Sequence, residues 1–266
     1  MWGIWEKSLK MFKMTEVVLH SALCWGLVGV GALTIVILSF VTAPYGRHYR
    51  GYGWGPKIAS RVGWIIMEGP ALVVFIFVFS NGRNFDQVVP LLLLIIWASH
   101  YINRSLIFPF RMRSTNKSIP LLIVILGFIF NVLNSYLNAR WISHFGYYSA
   151  EWLSRPLFVI GIFVFIVGFF VNVHSDSILI RLRRPGEKNY KIPYGGVYRW
   201  VSSPNYLGEL LEWAGWALAT WSFSGLAFFV FSAANLVPRA ISNHRWCKQT
   251  FPSYPSNRKS LIPYVF

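Results

Sequence analysis

An all-α fold is what this sequence predicts: an integral membrane bundle of seven transmembrane helices, with the amino terminus outside and the carboxyl terminus cytoplasmic. Three observations lead there. Hydrophobic residues make up 55% of the 266 and charged residues only 13%, a composition of the membrane class. Apolar runs of about 20 residues, the length a bilayer demands, recur along the chain. Lys and Arg gather in alternate loops, as the positive-inside bias requires. The formal net charge of +16 therefore reads as loop orientation; no folded nucleic-acid-binding motif accompanies it.

Residues 1 to 16 mix Trp2, Trp5, Lys7, Lys10 and Lys13, an interfacial amphipathic start with aromatics at headgroup level. The first span runs from about Val17 to Val41; it is too long for a signal-peptide core and is expected to stay uncleaved. Pro44 with Gly46, Gly51, Gly53 and Gly55 makes an irregular basic loop. Further spans are expected over Val62 to Phe79, Val88 to Phe108, Ile119 to Leu137 and Leu153 to Val171. A long polar break over 172–212 follows. Residues 206–237 are too long for one ordinary span, and the interruption Thr220-Trp221-Ser222-Phe223-Ser224-Gly225 divides them into a tight hairpin of two helices. The loops at 42–61, 109–118 and 174–204 and the tail from 238 hold 18 Lys or Arg, against 6 on the other side, so the first group is cytoplasmic. The chain is a single transmembrane domain over 1–266, its first four helices spanning 16–140 and its last three, with loop and tail, 150–266.

Four of the nine acidic residues stand out by position: Glu68, Asp176, Glu209 and Glu212. Glu68 lies about two turns into the second span from its cytoplasmic end, and Tyr101 about two turns from that end of the third, so the two reach similar depths. An acid and a phenol at one level can form a hydrogen-bonded pair that polarises a carbonyl. The plainer reading of Glu68 is a buried acid bonding a neighbouring helix. Glu209 and Glu212, three apart, share a helix face, and Arg183, Arg184 and Lys191 are their natural partners. Pro204 suits the first turn of that helix and Ser203 its cap, leaving a helix amino terminus flanked by arginines, an anion site. A basic loop that only orients the protein is the alternative. No G-x-G-x-x-G follows a strand, which excludes a Rossmann unit. Cys24 and Cys247 give neither a disulfide nor a ligand pair, and the histidines, His100 and His174 among them, have no metal spacing, so no metal site is expected.

The run Asn172-x-His174-Ser175-Asp176, then Leu182 to Glu187, Tyr190-Lys191-Ile192-Pro193-x-Gly195-Gly196, Asn205-x-Leu207-Gly208-Glu209 and Glu212-Trp213, strongly resembles the steroid 5α-reductase family. The ending Tyr254-Pro255-x-x-Arg258-Lys259-x-Leu261-Ile262-Pro263 fits it too, as do Glu68-Gly69-Pro70 and His100-Tyr101-x-x-Arg104 more thinly. The resemblance implies a seven-span reductase that uses NADPH on the carbon–carbon double bond of a Δ4-3-oxosteroid. It implies that Asn172, His174, Asp176, Arg183, Tyr190, Lys191, Asn205, Glu209 and Arg239 contact NADPH, and that Glu68 and Tyr101 bind the 3-oxo group. Helices 1–4 are then the substrate side and helices 5–7 the NADPH side. Hydride goes to the enone β carbon while Tyr101 and Glu68 polarise the ketone. Met67, Lys191, Asn243 and Cys247 stand where animal members commonly have glutamine, arginine, histidine and tyrosine.

Three rival readings remain at this stage. One is a methyltransferase of the isoprenylcysteine type using S-adenosylmethionine, which Pro204-Asn205-Tyr206-Leu207-Gly208 with Glu209 and Glu212 echoes. Another is a polyprenol or sterol reductase of the same superfamily, and the third a carrier or receptor without catalysis. The chain is expected to be a microbial homologue and a monomer whose partners are a lipophilic enone and the bilayer. Its membrane would be the inner one in a bacterium or the endoplasmic reticulum in a eukaryote.

Overall fold

A computed structural model describes residues 2–42, 48, 55–113, 118–182, 187 and 189–266, and of residues 2–14 only the backbone. Among them are seven long helices. α1 is Trp2–Phe40, α2 Ser60–Ser80, α3 Val88–Arg111 and α4 Leu121–Phe145. α5 is Pro156–Arg181, α6 Pro204–Thr220 and α7 Phe223–Thr250. Six of them are long and apolar enough to cross a membrane. The exception is α6, 17 residues with two glutamates. A two-stranded antiparallel ribbon, β1 (Lys57–Ala59) with β2 (Ser118–Pro120), ties the start of α2 to the start of α4.

The expected hairpin is present. Trp221 turns the chain in the left-handed region at φ 43°, and Ser222 Oγ caps α7 by accepting from the Gly225 N–H at 2.9 Å. Two helix ends differ from expectation. α5 continues to Arg181, ten residues past the expected end of its span, because Asn172, Ser175 and Asp176 are buried against α6 and need no loop to keep them wet. α7 runs through Pro238 to Thr250, where a tail was expected. The interfacial side chains of residues 1–14 and most of the glycine loop lie outside the described residues.

Helices pair as α5 with α6, α2 with α4, α1 with α7 and α6 with α7. The first pairing is the closest, and glycines make it so. A Cβ on Gly168 would stand 2.5 Å from the Glu212 nitrogen, and one on Gly215 2.5 Å from the Phe165 nitrogen. Gly208 would collide with the Asn172 backbone in the same way. Close backbone approach is how helices associate in lipid, where apolar burial gives little driving force. An aromatic core fills the centre. Trp97 stacks on Phe75 at 4.4 Å and touches Trp216 at 5.1 Å and Tyr101 at 4.9 Å.

Contacts sort the loops into two ends. At one, Arg61 Nε donates to the Pro109 carbonyl at 3.1 Å and Arg111 to Ser177 Oγ at 2.6 Å, joining the start of α2 to the ends of α3 and α5. At the other, Asn84 bonds the Gly146 carbonyl, Tyr148 the Thr220 carbonyl, and Arg140 holds Glu16 through two nitrogens.

Candidate active site

Polar side chains of α2 to α6 meet at one level near the first of these ends. α3 brings most of them. Its last two turns widen into a π turn at Asn103–Ile107, a device frequent at functional sites, and Ser105 Oγ donates to the Tyr101 carbonyl at 2.6 Å. The wider turn sets Arg104 inward. Its guanidinium donates to Asp176 Oδ2 at 3.0 Å, lies 4.0 Å from Glu209 Oε2, and stacks over Trp64 at 4.7 Å and Phe108 at 4.9 Å. Asp176 accepts a second bond, from Asn205 Nδ2 at 3.2 Å, and Asn172 Nδ2 donates to the Asn205 carbonyl at 2.9 Å. Thus α3, α5 and α6 are laced by one charged network in which every carboxylate faces a donor.

One turn deeper, His100 Nδ1 lies 2.7 Å from Glu212 Oε2, with both residues buried. Beside them Tyr101 packs against both Trp97 and Trp213, 4.9 Å from the first and stacked on the second at 5.8 Å. Its hydroxyl bonds no side chain among the described residues. Glu68 faces this group from α2. Asn131 Nδ2 of α4 donates to the Met67 carbonyl at 2.7 Å and to Glu68 Oε2 at 3.4 Å. No direct bond joins Glu68 to Tyr101; the two share an electrostatic neighbourhood with Arg104, Glu209 and His100.

Several pairings differ from the sequence reading. Glu209 and Glu212 take Arg104 and His100 as partners, because both acids face the bundle interior. Lys191 turns instead to Glu187 at 2.6 Å. Ser203 is the cap residue of α6 but gives no side-chain capping bond, while Pro204 holds the first turn as expected. Asn172, Asp176, Asn205 and Glu209 come together with Tyr101 and Glu68. His174 is exposed on α5 and packs against Gly196, Tyr190 packs edge-on against Trp246 at 5.1 Å, and Arg239 is half-buried on α7. Arg183, with Arg184, lies outside the described residues. Arg104 as the hub of the network, the pairing of His100 with Glu212, and Asn131 were not expected at the site. A signal existed for the first: Arg104 is the one cation within the third apolar run.

The mouth suits a polar ligand. Asn172 Oδ1 and Ser175 Oγ on α5 are buried without a hydrogen-bond partner, and buried acceptors call for a donor. A carboxamide or ribose hydroxyl supplies one. This pair of acceptors fits the polar half of a nicotinamide nucleotide.

Apolar helices enclosing an acid, a phenol and a buried guanidinium define a multi-pass membrane enzyme, and the comparisons give its class, an oxidoreductase. A family profile described as 3-oxo-5-alpha-steroid 4-dehydrogenase matches residues 117–266. Steroid 5-alpha-reductase DET2 of Solanum lycopersicum is 45% identical over 236 residues, covering 88% of this chain and 91% of that protein. The Bos taurus 3-oxo-5-alpha-steroid 4-dehydrogenase 1 is 37% identical over 257 residues, covering 95% and 99%. The Homo sapiens protein of that name is 38% identical, covering 84% and 86%. The chain belongs to the steroid 5α-reductase family. These relatives are plant and animal proteins and give no support to a microbial origin, and they are reductases, not methyltransferases.

Proposed function

We propose that the chain reduces the Δ4 double bond of a 3-oxosteroid with NADPH, at the level where Tyr101 and Glu68 meet the Arg104 network. The observation that carries this reading is the Tyr101 hydroxyl, on a ring packed against two tryptophans and uncommitted to any described side chain. Packed in that way, it donates to the 3-oxo oxygen as negative charge gathers there, and a preorganised donor in a dry site is worth far more than one in water. Glu68, fixed by Asn131, strengthens that donor. NADPH supplies the hydride when bound. Asn172, Asp176, Asn205 and Glu209 hold it at the mouth, with His174, Tyr190, Lys191 and Arg239 further out, and Arg183 is a further contact. The end bearing this mouth is cytoplasmic. α1 to α4 serve the steroid, which arrives from the bilayer, and α5 to α7 serve the nucleotide, in a monomer.

Purified protein incubated with NADPH and a panel of Δ4-3-oxosteroids, sterol enones and polyprenoid enones tests this reading. A product two mass units heavier with 5α ring fusion, formed from the steroids, is the expected result. Turnover of the polyprenoids alone, or NADPH consumption without a reduced steroid, overturns the substrate assignment.

A further inference from the structure

Away from that site, the loop after α5 and the chain after α7 form a pocket at the same end of the bundle. It encloses about 660 Å³ and is lined by Tyr194, Gly195, Arg199, Trp200, Asn257 and Arg258 among others. Its walls are stitched together: the Lys259 N–H donates to the Trp200 carbonyl and the Ser202 N–H to the Lys259 carbonyl, both at 2.9 Å. Gly195, at φ 91°, faces open space, whereas Gly196 backs onto His174, so one layer of backbone divides this pocket from α5.

Arg258 is the unusual member. It is only 3% exposed, and its guanidinium lies between the rings of Tyr194 at 5.0 Å and Tyr254 at 5.3 Å. Nε and Nη1 have no hydrogen-bond acceptor among the described residues. Two unsatisfied N–H groups on a buried cation are costly, and the local sequence offers no counter-ion. Neither 188–208 nor 213–266 contains an Asp or Glu. Glu187 is taken by Lys191 and Glu209 faces Arg104, while the Phe266 oxygen accepts from the Leu261 and Ile262 amides. Exposed Arg199 and Lys259 add positive charge. Two exposed aromatics, Tyr194 and Trp200, line it as well, the residue types that sit at a bilayer's headgroup level.

We propose that this pocket binds the phosphate group of a membrane phospholipid, with Arg258 as the anchor, Arg199 as a rim contact and the exposed aromatics against the acyl–headgroup boundary. Planar guanidinium groups grip phosphate through paired N–H bonds. The site is independent of the reductase reading, since it uses none of those residues.

The test is thermal unfolding of the purified full chain in detergent, with dihexanoylphosphatidic acid as the probe. Dihexanoylglycerol is the phosphate-free control, and adenosine 2′,5′-bisphosphate represents a nucleotide phosphate. The phosphatidic acid is expected to raise Tm saturably by about 5 °C, and the glycerol not at all. Arg258→Gln is expected to weaken the apparent affinity roughly tenfold or more, and Arg199→Gln about two- to fivefold. If Arg258→Gln does not fold, the wild-type pair of lipids and Arg199→Gln decide the matter. No shift with the phosphatidic acid, or an equal shift with dihexanoylglycerol, overturns the proposal. So does a shift confined to the bisphosphate and lost in the variants, which would give the pocket to the nucleotide.

Discussion

Replacing Asn131 by Leu tests how the acid at the candidate site is held. Pro70 has no N–H for the helical bond back to Ile66, and side chains of α3 and α4 bond the carbonyls that flank it. Asn131 bonds the Met67 carbonyl at 2.7 Å, while Trp97 Nε1 and Ser135 Oγ bond the Ala71 carbonyl at 2.9 and 3.2 Å. Leucine matches the volume of asparagine closely enough that the change is chiefly two lost hydrogen bonds. The Met67 carbonyl then loses its side-chain donor, costing about 0.5–1.5 kcal/mol of stability. At about 2–4 °C per kcal/mol for a chain of this size, Tm falls by several degrees. The longer bond to Glu68, at 3.4 Å, contributes little stability but sets the carboxyl's direction. Its loss is expected to lower kcat about tenfold, the equivalent of about 1.4 kcal/mol in the transition state, with the Kd for NADPH unchanged. Asn131→Gln, which keeps the donor, should recover part of kcat. Single-turnover reduction beside a thermal melt separates the effects: a lowered Tm with kcat within twofold of wild type would make Asn131 interhelical glue and refute its role in aiming Glu68.

Tyr101→Phe removes the donor and little volume, so steroid reduction should slow by about 10²–10³-fold with NADPH affinity kept, read by single turnover and by fluorescence titration of the nucleotide. Glu212→Ala leaves His100 buried without its partner and should cost about 3–5 kcal/mol, with Glu212→Gln losing clearly less; equal melting of the two variants would count against a paired His100. Gly208→Ala drives a methyl into the Asn172 backbone, a clash that rigid helices cannot relieve, and about 1–3 kcal/mol or more should be lost. The same change at Gly29 of α1, which has no atom within 4 Å of a Cβ, should leave Tm unchanged.

The helical class and the hairpin were legible because hydropathy and the break at Thr220–Gly225 need no tertiary information. The end of α5 was not, and the reason is physical. Asn172, Ser175 and Asp176 interrupt an apolar run and so suggest a loop, yet their spacing of three and one places them on one helix face. Protein, not lipid, lies against that face, so the helix need not stop. Pro238 misleads similarly: it suggests a stop, but past the bilayer α7 still has Ala240 and Cys247 to bury. The glutamates' partners were illegible because charge complementarity was matched along the chain, while the actual donors, His100 and Arg104, come from a helix more than a hundred residues away. The π turn that admits Arg104 has no residue signature.

Around the aromatic core, polar side chains line the inward faces of several helices. α3 offers His100, Tyr101 and Arg104; α4 Asn131, Asn134, Ser135 and Asn138; α5 Asn172, Ser175 and Asp176; α6 Asn205, Glu209 and Glu212. Members of each set stand one, three or four residues apart, as one helix face requires, while the exposed large side chains are mostly valine, isoleucine, leucine and phenylalanine. In hydrocarbon no polar face can be left exposed, so the same requirement that assembles the helices also gathers the acids, the guanidinium and the phenol at one level. Because the bonds cross from helix to helix, the cluster should respond as a unit. Arg104→Met and Asp176→Asn should each destabilise the protein, and the double variant should lose less than the two combined, since the second change removes a partner already lost. Strict additivity in that cycle would mean that the Arg104–Asp176 contact at 3.0 Å couples nothing, and the site would then be a set of separate buried pairs.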